Sequence, residues 1–146
     1  MRVAFVSLLA ASAVLTAGCG AVGHLGDHSG DPAKGKPAFV TSCGGCHVLA
    51  AAGTQGTTGP DLDAAFGPDR CQGFKESTIR DVVRGQIAYA ESDTGTGNPG
   101  MPPNLVNGQT AKDVSAYVAS VAGINGTAAA HTGPYWDCAT GAEVTG

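Results

Sequence analysis

Apolar positions along the chain fall into two patterns. From Val3 to Ala17 they run almost unbroken and carry no charge. Further on they recur at helical spacing. Ile79, Val82, Val83 and Ile87 form one stripe, with Arg80, Asp81 and Arg84 turned towards water. Val114, Tyr117, Val118 and Val121 form a second stripe. Residues 91–100 contain only an acidic, Ser/Thr and Gly/Pro/Asn mixture, which predicts an exposed loop. No stretch after the leading run alternates with period two. The pattern predicts an all-α chain of three to five short helices joined by long loops.

Local signals place the helix ends. Asp31-Pro32 is a start, an acceptor side chain followed by proline at the first helical position. That helix runs to about Ser42, and Pro37 inside it predicts a kink or a later start. The next helix spans about 76–88 with Ser77 as its cap. Thr110 is expected to cap the last one, with Asp113 three residues on as capping-box partner, and Gly123 to stop it. Residues 53–62 read as a loop, and Asp63 to Phe66 as a short turn.

Composition changes what these helices can enclose. The 146 residues include 23 glycines, only 5 % aromatics and 14 % charged residues. That is too little for a large aliphatic core. It suits a small domain built around a large apolar ligand, which supplies buried surface the side chains lack. The net charge is −4, and no basic patch interleaved with aromatics is present, which excludes nucleic acid as a partner.

Cys43-Gly44-Gly45-Cys46-His47 names the ligand. Two thiols three residues apart with histidine directly after is the attachment sequence of a c-type haem. Each thiol can add across one vinyl group of the macrocycle, and the histidine can bind iron from one face. Three other readings compete, one of them a chance occurrence. Structural zinc needs four ligands, and no second cysteine pair follows; His24, His28 and His131 are scattered. A thioredoxin-type dithiol needs alternating strands and helices, which are missing.

The leading apolar run follows Met1-Arg2 and ends in Thr16-Ala17-Gly18-Cys19, a secretory signal over residues 1–18. Small residues before a cysteine resemble the lipobox of bacterial lipoproteins, which makes Cys19 the expected lipidation site. The resemblance departs at Thr16, where that family usually has Leu. Residues 19–30 then form a glycine-rich, lipid-anchored tether, and the protein is placed at the outer face of the cell membrane. Five cysteines are present. With Cys19 lipidated and Cys43 and Cys46 on haem, Cys71 and Cys138 remain. In an oxidising compartment they pair as a disulfide, worth about 4 kcal/mol in the chain-entropy model; the alternative is two separate buried thiols. That bridge would hold an extension over residues 125–146 against the domain of residues 31–124.

The other face of the iron needs a ligand. Two methionines are present, and Met1 leaves with the signal. Met101 stands between Gly100 and two prolines, an unusual place for a core methionine, and Pro102 holds it extended. A thioether favours ferrous iron, and a His/Met pair raises the potential. His131 is the rival ligand.

In this order the motifs resemble the class I cytochromes c over residues 31–123: Gly35 and Phe39 on the first helix, Cys43 to His47, Gly59-Pro60-Asp61-Leu62, Met101-Pro102, and the closing helix with Tyr117. The resemblance implies a cytochrome c fold wrapped around one covalent haem c with its iron. It implies that the Pro60 carbonyl accepts a hydrogen bond from His47, that Leu62 packs on the ring, and that Gly35 and Phe39 meet Tyr117 where the terminal helices cross. Pro37, the Cys71/Cys138 pair and the long tail depart from the family. The expected function is one-electron transfer between redox partner proteins in an extracytoplasmic chain, with no enzymatic activity and no small-molecule substrate. The alternatives are a haem enzyme or gas sensor in which Met101 dissociates, and an electron-entry subunit docked on a membrane oxidoreductase.

Overall fold

A computed structural model describes residues 28–90, 100–124 and 135–144. The leader, Cys19, His24, residues 91–99 and His131 lie outside them. Among the described residues there are four α-helices: α1 (Pro32–Ser42), α2 (Leu62–Cys71), α3 (Glu76–Tyr89) and α4 (Gly108–Val121). None is long and apolar enough to cross a membrane.

The first helix starts where its signals place it. Asp31 accepts from the Ala33 N–H at 2.9 Å, and α1 runs through Pro37 without a break. The later start does not occur, because capping at Asp31 and packing on α4 secure the first turn. α1 and α4 form the most extensive helix pair. Gly35 makes the approach possible. A Cβ there would overlap the Asp113 carbonyl and lie 2.6 Å from Tyr117 Cβ. One turn on, Phe39 meets Tyr117 with ring centroids 6.0 Å apart and planes tilted by 58°. Both rings are buried. Gly35→Ala is therefore expected to destabilise the protein by roughly 1–3 kcal/mol, since backbone must give way. A denaturant titration checks this; an unchanged midpoint would contradict the crossing.

Several sequence expectations need correction. α4 begins at Gly108 with Asn107 preceding it, and no side chain caps it. Thr110 is inside the helix. Asp113 is buried and reaches across to α1 instead: its Oδ1 accepts from the Asp31 N–H at 2.9 Å and from Gln109 Nε2 at 2.8 Å. Gln109 Nε2 also donates to the Ser29 carbonyl at 3.0 Å. The Asp31 N–H first, then Gln109, hold the Asp113 carboxyl below the usual carboxylate range. A depressed folded value means the stabilisation is present above the ordinary value of about 3.9 and is lost as pH falls through the folded one. Asp113→Asn should thus be less stable than wild type near neutrality, with the gap closing in acid. Thermal unfolding across pH reads this out, and a gap independent of pH would contradict it.

In α3, Ser77 does not cap; Lys75 precedes the first turn, and its side chain makes no capping hydrogen bond. Ile79 and Ile87 are buried, with Val83 half-buried between them at spacings of four. Val82 is exposed, and Arg84 is buried rather than turned to water. Residues 62–71 form a helix, not a short turn. Gly67 and Pro68 read as breakers, yet both lie inside α2. Asp61 caps it by accepting from the Asp63 and Ala64 N–H groups at 2.9 and 3.2 Å. At its far end Arg70 donates to the Ala119 and Ala122 carbonyls, closing the last turn of α4.

Short strands also occur where none was expected. β1 (Val48–Leu49) pairs antiparallel with β2 (Thr54–Gln55) around a 3₁₀ turn at Ala50–Ala52. At the C-terminus β3 (Tyr135–Asp137) pairs with β4 (Ala142–Val144), Trp136 opposite Glu143. Segments of two or three residues are too short to show a period. The expected disulfide is present: Cys71 at the end of α2 is bonded to Cys138 beyond β3, with Cα atoms 5.5 Å apart.

Candidate functional site: a cleft beneath the two-cysteine motif

Between α1, α2, α3, α4 and the segment carrying Met101 lies one apolar cleft of about 850 Å³ including its open mouth. Each helix contributes its inner face: Phe39 from α1, Leu62 and Phe66 from α2, Val83 and Ile87 from α3, Val114 and Val118 from α4. Cys43, His47, Pro60 and Met101 also line the cleft. The structure thus brings together the predicted Cys43, His47, Pro60, Leu62 and Met101.

The motif is delivered by the end of α1. Cys43 N–H donates to the Phe39 carbonyl at 2.8 Å, and the Cys46 and His47 N–H groups both donate to the Cys43 carbonyl at 3.0 Å. This turns the loop so that Cys43 is buried and Cys46 exposed, neither thiol bonded to another sulfur. Burial first, and then the neighbouring Cys46, push the Cys43 thiol up, so it is kept protonated.

His47 is fixed by its partner. Its Nδ1 lies 2.8 Å from the Pro60 carbonyl oxygen. A carbonyl can only accept, so Nδ1 carries the proton and Nε2 keeps a free lone pair. Pro60 is held by its neighbour: the Gly59 N–H donates to the Cys46 carbonyl at 2.8 Å. Gly59 also lies flat against the imidazole. A Cβ there would come within 2.6 Å of the ring. Gly56 stands equally close to the Cys46 backbone, and Gly44 to Thr54. The loop after the motif therefore forms a glycine-lined bracket around it.

Sequence reasoning missed two residues that hold the walls. Asp63 is buried, and its two oxygens accept from the Ala50 N–H at 2.8 Å and the Gly123 N–H at 2.9 Å. It joins the segment after His47 to the end of α4. Asn104 anchors the segment after Met101: its N–H donates to the Ile87 carbonyl at 2.7 Å, satisfying an end carbonyl of α3. Its φ of +58° lies in the left-handed region, where asparagine is tolerated. Asparagine three residues after Met101 was the available signal.

The chemistry of these donors fits a haem: an apolar slot, one unpaired thiol lining it with a second, exposed one three residues on, and an imidazole with one nitrogen committed and the other free. The site and fold define a haem-binding electron carrier. The cytochrome c family model matches residues 32–122, more than half of the chain, and the chain belongs to that family. Its cofactor is covalent haem c with iron. No curated protein and no solved structure matches the chain.

Proposed function

We propose that this cytochrome carries single electrons with its iron closed on both faces, by His47 and Met101, in an extracytoplasmic chain. The observation that carries this is the shared cleft: His47, with Nε2 left free by the Pro60 bond, and Met101 line the same apolar slot. Cys43 and Cys46 would hold the macrocycle as thioethers, and Leu62 would pack against it. When bound, the haem supplies a one-electron couple between ferrous and ferric iron. The chain does the rest. Pro60 fixes the imidazole tautomer. The apolar walls exclude water and disfavour the extra charge of the ferric state. Asn104, tied to α3, keeps Met101 from swinging away. Export, lipidation of Cys19 and a place on the outer face of the membrane complete the reading; they rest on the leader sequence and on the haem attachment motif, whose chemistry in bacteria belongs outside the cytoplasm. Donor and acceptor are proteins that meet the open edge of the cleft.

An optical spectrum of the haem-loaded protein tests the ligands. The ferric form should display the weak red charge-transfer band of methionine ligation, and the reduced form should change little under carbon monoxide. Absence of the band together with fast carbon monoxide binding would favour the gas-binding alternative instead.

A further inference from the structure

The C-terminal hairpin lies beyond the residues the family shares, 32–122, yet it packs on a wall of the cleft. We propose that it is a positioning element for the cofactor: Trp136, pinned by the Cys71–Cys138 bridge, presses α2 onto the haem and raises its reduction potential by keeping water from that wall. The inference rests on the electron-carrier reading above.

Five observations converge on α2. Leu62, Ala65 and Phe66 line the cleft. The next residue, Gly67, is buried under the indole of Trp136, and a Cβ there would overlap the nearest ring carbons. Trp136 itself is 8 % exposed. Its N–H donates to the Ile124 carbonyl at 2.6 Å, which ties the hairpin to the chain just past α4. Cys138, two residues on, is bonded to Cys71 at the last residue of α2. α2 is thus clamped from outside along the second half of its length.

The clamp meets a need in the sequence of α2. Gly67 and Pro68 both oppose helix, so a ten-residue helix holding them cannot rely on its own propensity. Glycine is nevertheless required at 67, because the indole occupies the space of a side chain. Loosening α2 would let Phe66 and Leu62 move and admit water to the cofactor. Water stabilises the more charged ferric state, so the potential falls. Trp136 touches neither cofactor nor iron ligand in this account. It acts through Phe66 and Leu62.

The test uses full-length haem-loaded Trp136→Ala, Trp136→Phe and the double variant Cys71→Ser/Cys138→Ser. Redox titration, the methionine charge-transfer band and thermal unfolding are measured on each. Trp136→Ala should shift the ferric-to-ferrous ratio at fixed potential about tenfold towards ferric, equivalent to about 59 mV for one electron, with the band retained. Trp136→Phe should recover most of that shift, and the serine pair should move in the same direction by less. Potentials equal to wild type, with the band intact and only the unfolding temperature lowered, would reduce the hairpin to a staple and overturn the inference. If Trp136→Ala fails to accumulate, the phenylalanine and serine variants decide by the same criterion. A wild-type spectrum without the band would instead overturn the carrier reading, and this inference with it.

Discussion

Met101→Ala is expected to lower the reduction potential by the order of 0.1 V, within the roughly 0.8 V that axial ligands span. The same change should remove the methionine charge-transfer band and let the reduced protein bind carbon monoxide. The reasons are cumulative. A thioether stabilises ferrous iron in preference to ferric, so its loss disfavours reduction. Alanine reaches no ligand position, and the wall it leaves becomes a route for water. The backbone around the site should survive, because Asn104 still donates to the Ile87 carbonyl and Pro102 still restricts residue 101. The effect is thereby confined to the ligand. A potential and a band unchanged from wild type would show that the ligand is another residue, with His131 the first to replace. The Met101 variant therefore separates a closed carrier from a haem protein with an open face, which the family match alone does not.

Much of this site was readable because its chemistry is written in short motifs. Cys43, Cys46 and His47 are contiguous, and a bond such as His47 to Pro60 joins two motifs 13 residues apart. The Gly35–Tyr117 crossing was legible through the resemblance to class I cytochromes c; spacing alone showed only a bare residue beside an aromatic on one helix face. What failed has a common physical origin. Gly67 and Pro68 argue locally against a helix, and only Trp136, far along the chain, explains why α2 continues through them. Asp113 looked like a local capping partner, but its acceptor is committed to Asp31 across the helix pair. Val82 and Arg84 exchanged places relative to expectation because the side of α3 that joins the core is Ile79 and Ile87, with Val83 packed against it. In each case long-range packing overrode a local preference worth about 1 kcal/mol or less, except at Pro68, where the override is larger.

Replacing both Cys43 and Cys46 by alanine should have the largest effect on the molecule as a whole. Covalent haem is lost, and so is cooperative folding. The first result follows from the chemistry: without thioethers the cofactor should separate from the chain in a denaturing gel. The second follows from the core. Phe39, Leu62, Phe66, Val83, Ile87, Val114 and Val118 all face the cleft, and with only 5 % aromatic residues the chain has little else to fill it. Fully burying one such side chain is worth about 1.5–3 kcal/mol. Without the macrocycle each of them loses its packing partner across the cleft, and a void of that kind costs several kcal/mol, a large part of the stability of a small domain. The Cys71–Cys138 bridge is untouched by the change, but a bridge limits the unfolded chain and does not close a cleft. The haem-free variant should therefore show a broad, weakly cooperative thermal transition with exposed apolar surface that binds a hydrophobic dye. A sharp transition at the wild-type temperature would mean that the helices close on one another without the cofactor.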